Sequence, residues 1–200
     1  MKSETTAYGL TLLQGNHKKI LELKKKYKPT DHGHKVWPNS WLMIGYLEKT
    51  RTVSGKRVID LGCGWGLNGI YCAKKQDASV TCVDVDKDVK PFVNLMAEIN
   101  QVEIRFVNLG IDQVKRSLLK NVDIIIASDI CFCDSLIDPI RRLIQRAKKA
   151  EVKQFLISDP GRWPFEDLCD MLLGKKGVEL ILWEVQRPAK IEGKILRVDL

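Results

Sequence analysis

No apolar run in this 200-residue chain approaches the roughly 18 residues that a membrane-spanning helix needs. The longest run surrounds Ile124-Ile125-Ile126, so no membrane segment is expected. The opening residues, MKSETTAYGLTLLQGN, lack the basic start and apolar core of a secretory signal. Neither a Cys-x-x-Cys pair nor a closely spaced His pair of zinc-site type occurs among the six cysteines and three histidines. His32 and His34, beside Gly33, offer at most a lone surface contact, and no metal is expected. Cys63, Cys72, Cys82, Cys131, Cys133 and Cys169 lie mostly inside apolar segments rather than at the spacings of a disulfide framework. They are expected to be reduced and the compartment cytoplasmic. Linkers, repeats and low-complexity tracts are missing as well, which leaves one single domain as the expectation at this length.

Acidic charge is in short supply: the net charge is +8, with Lys18, Lys19, Lys24, Lys25, Lys26 and Lys28 supplying much of the excess. Such a run reads as a solvated helix face or as an attractor of acidic protein or nucleic acid. The lack of interleaved aromatics argues against nucleic acid.

From Arg57 onward, short apolar runs alternate with amphipathic segments, the order of an α/β, doubly wound sheet. Strands are expected at 58–61, 80–83, 104–107, 122–127 and 155–157. Helices are expected at 66–75, around Val89 to Ile99, around Ile137 to Ala147 with Asp134 or Ser135 as its cap, and around Phe165 to Leu172. Pro91 falls in a first helical turn, where a missing N–H is tolerated. Two further strands, 178–185 and 195–198, are joined by too few residues for a helical crossover, so they form an antiparallel hairpin. Residues 1–56 read as an N-terminal helical extension, with one helix after His17 and another over 39–49, and residues 57–200 as the core.

The stretch VIDLGCGWGLNG, residues 58–69, contains a literal G-x-G-x-x-G from Gly64 to Gly69, the fingerprint of a dinucleotide-binding turn. The register disagrees with that reading. The strand ends at Leu61, so the first turn glycine is Gly62, and the position three beyond Gly64 is Leu67. What remains is D-x-G-x-G-x-G: Asp60, Gly62, Gly64 and Gly66, with Gly69 inside the helix, where it permits close packing on a strand. A carboxylate beside the turn repels a pyrophosphate and suits a cofactor with a cationic ammonium and no phosphate. S-adenosylmethionine is such a cofactor. Asp84, about 22 residues beyond Gly62, ends the second strand where a carboxylate accepts from ribose hydroxyls. The plainer alternative is that Asp60 merely caps the turn and Asp84 is an exposed acid. Gly110-Ile111-Asp112 is placed to give adenine the Ile111 N–H and the Asp112 carboxylate, although Asp112 equally suits a helix N-cap.

At these residues the chain resembles the class I, seven-β-strand S-adenosylmethionine-dependent methyltransferases from about residue 35 to the C-terminus. Within them it is similar to methyltransferase family 16, and in that branch to the electron-transfer-flavoprotein β-subunit lysine methyltransferases. Val36-Trp37-Pro38 is similar to the branch's N-terminal motif. Asp129-Ile130-Cys131-Phe132 fits its D-x-x-Y/F motif, with Phe where Tyr is common, and Ser158-Asp159-Pro160-Gly161-Arg162 resembles its D-P-G-R segment. The N-P-P-Y-type motif of nucleobase and glutamine methyltransferases is absent after the fourth strand.

The resemblance implies a Rossmann-like, seven-stranded sheet and a protein-lysine acceptor, with Trp37 packed near the cofactor. It sets Asp129 between cofactor and acceptor as the positioning acid. Phe132 and Trp37 would wall the acceptor channel by cation–π contact. Asp129 as a turn cap and Phe132 as core are the bland alternatives, and Asp159 and Arg162 either touch substrate or form a rigid turn. The competing functions are methylation of a small-molecule nitrogen or oxygen, a non-catalytic module that keeps the fold, and an NAD enzyme, which the register disfavours.

Overall fold

The computed structural model describes residues 3–30 and 32–200. In chain order the elements are β1 (Glu4–Ala7), β2 (Leu10–Leu13), α1 (Lys18–Lys26), α2 (Asn39–Thr50), β3 (Arg57–Leu61), α3 (Leu67–Gln76), β4 (Ser79–Asp84) and α4 (Lys90–Asn100). They continue with β5 (Arg105–Asn108), α5 (Arg116–Leu119), β6 (Ile124–Ser128), α6 (Ile137–Lys149), β7 (Gln154–Asp159), α7 (Trp163–Leu172), β8 (Val178–Val185) and β9 (Ile191–Asp199). One seven-stranded sheet runs β5-β4-β3-β6-β7-β9-β8. The pairs from β5 across to β7 are parallel. Strand β9 runs antiparallel to both β7 and β8. The doubly wound sheet and its closing hairpin are therefore those the alternation implies.

The uninterrupted apolar strands are explained by cover on both faces. Val58, Ile124, Ile126 and Leu156 enter the core formed with α2, α3 and α4. Their neighbours Ile59, Ile125, Ala127, Phe155 and Ile157 enter the core formed with α6 and α7. Because side chains alternate along a strand, Asp60 falls on the same face as Val58, toward α3. There its Oδ2 accepts from the Gly69 N–H at 2.9 Å.

Ahead of the two expected helices of the extension lies a hairpin that the sequence reading did not mark. β1 and β2 pair from Glu4↔Leu13 to Ala7↔Leu10. Their two-residue turn, Tyr8-Gly9, has positive φ at both positions (53° and 73°), as a tight hairpin turn requires. Leu10, Leu12 and Leu13 are buried in the α2–α4 core, and Asn100 clamps β2 by accepting from the Thr11 N–H (2.9 Å) and donating to its C=O (2.8 Å). A second difference concerns α6. Asp134 and Ser135 form a short 3₁₀ turn and neither caps the helix; Asp134 instead accepts from Trp163 Nε1 (3.1 Å). No helix among the described residues is long and apolar enough to cross a membrane.

Gly69 sets how closely α3 approaches the sheet. A methyl group there would lie 2.8 Å from Cys82 Sγ, 3.0 Å from Val80 Cγ1 and 3.2 Å from Asp60 Oδ2. Gly69→Ala is expected to cost about 1–3 kcal/mol by overpacking. Urea unfolding should show this as a lower midpoint at unchanged slope, and an unaltered midpoint would contradict it.

Candidate active site

Two cavities open at the carboxyl ends of the central strands and share a wall. The first, about 550 Å³, is of the size of small-molecule sites. It lies where the strand order reverses between β3 and β6, the usual ligand crevice of doubly wound sheets. Leu61, Gly62, Cys63, Gly64, Trp65, Asp84, Val85, Leu109, Gly110, Ile111 and Asp112 line it from the β3–β5 side, and Ser128, Asp129, Ile130 and Phe132 from the β6 side. Thr30, His32, Gly33, Lys35, Val36 and Trp37 also line it, from the segment between α1 and α2. That segment is tied down at several points. The Lys28 and Thr30 N–H groups donate to Asp88 (3.0 Å) and Asp86 (2.7 Å), Trp65 Nε1 donates to the Gly33 C=O (2.9 Å), and the His32 ring stacks on Phe132 with centroids 4.0 Å apart.

The second cavity, about 810 Å³, lies between the end of β2 and the β8–β9 connection, where Leu13, Gly15, Pro188, Ala189 and Lys190 line it. Lys35, Val36, Trp37, Trp65, Asp129 and Arg162 border both spaces.

Asp84 sits at the end of β4, with Oδ2 accepting from the Gly64 N–H and Oδ1 from the Asp86 N–H, each at 2.9 Å. A carboxylate offers about four acceptor positions, so each oxygen retains capacity for a hydroxyl. Burial pushes the Asp84 carboxyl above its ordinary range, while the Asp86 and Gly64 N–H groups pull it back. Gly64 has φ 53°, and a Cβ there would meet nothing within 4 Å, so its backbone faces open cavity. Acid, bare turn and apolar slot fit the ribose and adenine of S-adenosylmethionine. Ile111 lies in a 3₁₀ turn at the far side of that slot. Asp112 borders the cavity too, but its exposed carboxylate pairs with Arg142 (3.3 Å) and Arg146 (3.9 Å), and the turn's N-cap is Gly110. Trp37 lines both cavities with its Nε1 donating to the His32 C=O (2.8 Å).

Asp60 and Gly66 are not brought to the cavity. Gly66, at φ 77°, is the N-cap of α3. Asp60, expected at the cofactor's ammonium, is 1% exposed and points under the turn into α3, where its Oδ2 accepts from the Gly69 N–H, and it does not line the cavity. Burial pushes its carboxyl up to about 7, the Gly69 N–H opposing this and the Asp84 charge adding to it.

Asp129 follows β6 in the left-handed region, φ 57°, a strained setting for a non-glycine residue. It caps no following turn. Its Oδ1 accepts from Arg162 Nη2 (2.5 Å) and Asn39 Nδ2 (3.0 Å), and its Oδ2 from the Asn39 N–H (3.3 Å). Phe132 is 39% exposed and walls the first cavity, so it is not core. Asp159 Oδ1 accepts from the Gly161 and Arg162 N–H groups (2.9 and 2.8 Å). The D-P-G-R segment is thus a rigid turn that aims Arg162 into the shared wall. Sequence reasoning missed Asn39, the partner of Asp129, and the covering segment around His32; a residue that opens α2 carries no signal of a contact 90 residues away.

Comparison with known proteins gives this geometry its context. The family described as lysine methyltransferase, methyltransferase family 16, matches residues 15–162. The chain belongs to that family. As a family-16, class I S-adenosylmethionine-dependent methyltransferase, it is 29% identical over 132 residues to an electron transfer flavoprotein β-subunit lysine methyltransferase of Danio rerio, covering 66% of this chain and 50% of that one. It is 33% identical over 135 residues to a histidine protein methyltransferase 1 homolog of Dictyostelium discoideum, covering 63% and 42%. The chain thus spans about half the length of the curated relatives it matches. In fold, this family-16 chain is similar to TrmN from Thermus thermophilus, with a TM-score of 0.62 at 16% identity over 80% of this chain and 48% of that one. It is also similar to magnesium protoporphyrin IX methyltransferase from Synechocystis PCC 6803, with a TM-score of 0.58 at 15% identity over 80% and 76%.

Two substitutions separate the roles of the acids. Asp84→Asn is expected to weaken S-adenosylmethionine binding roughly tenfold, as loss of a charged acceptor does, while Asp60→Asn changes it by less than about threefold. Asp60 holds its proton more tightly folded than unfolded. Its contribution to stability is therefore full below the unfolded value and lost as pH rises through about 7. Asp60→Asn should remove that fall from the pH dependence of urea unfolding; an undiminished fall would contradict the assignment.

Proposed function

We propose that this protein methylates a lysine side chain of a protein substrate, with the methyl donor in the first cavity and the acceptor reaching Asp129 through the second. The observation that carries this reading is the position of Asp129, a nearly buried carboxylate on the wall common to both spaces. S-adenosylmethionine, when bound, supplies a methyl group on a sulfonium that an amine lone pair displaces in line. The residues that would hold it are Asp84, the Gly62–Trp65 turn, and Ile111 with the apolar slot around it.

The chain's own task is then alignment and exclusion of water. Asp129 Oδ2, which among the described residues accepts one long bond, from the Asn39 N–H, has room to accept an N–H from the incoming amine and orient its lone pair. Trp37 and Phe132 offer faces to a cation. Lys35 already lies over the Trp37 ring, Nζ 4.1 Å from its centroid. The names of the Danio rerio and Dictyostelium discoideum relatives support a protein acceptor. Of the two, lysine is favoured because an acidic wall suits an ammonium; a histidine acceptor is the second reading, carried by the Dictyostelium relative's name. Free thiols at all six cysteines accord with a reducing, cytoplasmic setting.

The test is incubation of the protein with a cell extract and tritiated S-adenosylmethionine, followed by acid hydrolysis and separation of methylated amino acids. Label is expected in methyl-lysine. Label in methyl-histidine or only in small molecules would replace this reading. Asp129→Asn should cut methyl-lysine formation roughly tenfold or more with cofactor affinity nearly unchanged, the pattern of a lost acceptor contact.

A further inference from the structure

We propose that Arg162 is a positioning residue that matches the acceptor pocket to one protonated amine, by bridging Asp129 and Asp159 and leaving that cluster one positive charge short. The inference rests on the lysine reading above.

The bridge is rigid. Arg162 Nη2 meets Asp129 Oδ1 at 2.5 Å, and Nη1 meets Asp159 Oδ2 at 2.9 Å. Asp159 is fully buried and is pinned through its other oxygen by the Gly161 and Arg162 N–H groups. Arg162 therefore cannot swing away without stranding a buried carboxylate, which is costly. With Oδ1 of Asp129 filled by Arg162 and Asn39, acceptor capacity is left on Oδ2 alone, so the bridge decides which oxygen the substrate meets.

The charges around the cluster do not cancel. Two carboxylates face one guanidinium. Lys194, opposite Asp159 in β9, is spent on Glu166 at 2.6 Å, and Lys190 on Glu192. Lys35 is exposed and lies on Trp37. The Cys131 thiol is pushed up to about 12 by burial and stays neutral. Burial raises the Asp159 carboxyl, with the Arg162 and Gly161 N–H groups and the Arg162 charge opposing this and the Asp129 charge adding to it. With both acids ionised, the cluster of Asp129, Asp159 and Arg162 by itself carries one net negative charge. A primary ammonium balances it on arrival and releases one proton to solvent before its lone pair reacts, whereas a neutral imidazole leaves it unmatched.

The full chain labelled with ¹³C-aspartate provides a readout that does not need the natural substrate. n-Butylammonium is expected to shift the Asp129 carboxyl resonance, and imidazole at the same concentration and pH 8 is not. Asp159→Asn keeps an oxygen for the Gly161 and Arg162 N–H groups but deletes one charge, and should weaken the n-butylammonium response about fivefold. Arg162→Met should move the acid limb of methyl-lysine formation to higher pH, while Arg162→Lys restores the wild-type profile. Equal responses to n-butylammonium and imidazole would overturn the charge match, and a wild-type pH profile in Arg162→Met would overturn the positioning role. If the extract assay labels no lysine yet the n-butylammonium response is selective, the lysine reading fails and the inference stands. If lysine is labelled and both variants behave as wild type, the inference alone fails.

Discussion

Helix α3 lies as close to the sheet as it does because Gly69 has no side chain and because its N–H finds an acceptor in Asp60 Oδ2 at 2.9 Å. The contact is buried and made in the low-dielectric interior, where a hydrogen bond to a carboxylate is strong and its absence expensive. It fixes where α3 begins. The Gly62–Gly66 turn is thereby held open above β3 and β4, the Gly64 N–H reaches Asp84, and Leu67 and Asn68 come to the cavity wall. An acid that never touches the cavity shapes it.

A second set of contacts joins the first cavity to the wall it shares with the second. Asn68 Nδ2 donates to the Ser128 hydroxyl (2.8 Å), which bonds the Ser158 hydroxyl (2.7 Å), which reaches the Asn39 C=O (3.1 Å). With one proton each to give, the two hydroxyls form a directed chain. It runs from α3 across the ends of β6 and β7 to the start of α2, and Asn39 then grips Asp129. Every member sits at the end of a regular element, so Asp129 is held by rigid parts of the fold despite its own strained backbone.

The sheet was legible because its signals are local. Apolar runs, glycine turns and helical spacing recur within a dozen residues, and they locate every strand of the seven-stranded sheet to within a few residues. Asp84, Gly62, Gly64 and Phe132 could be placed on the cavity wall the same way, since a motif fixes a residue at or just past the end of a strand. Asp60 could not be judged so simply: its proximity to the turn was visible, but its direction depends on strand alternation and on which helix covers that face. The Asp129–Asn39 and Asp129–Arg162 contacts cross 90 and 33 residues, distances at which sequence spacing says nothing. The Tyr8-Gly9 hairpin was within reach, since a short alternating run on each side of a turn pair is a local signal.

Strand β9 follows β8 in the chain yet lies between β8 and β7. During synthesis β8 therefore emerges with no neighbour to join, and β7 presents an open, apolar edge until β9 is available to fill the gap. The order of emergence and the order in space conflict here, as they do where β6 pairs with β3 rather than β5, and this end of the sheet closes only by a late insertion of β9 with contacts on both sides. Such a step exposes pairing edges to other nascent chains until β9 is in place.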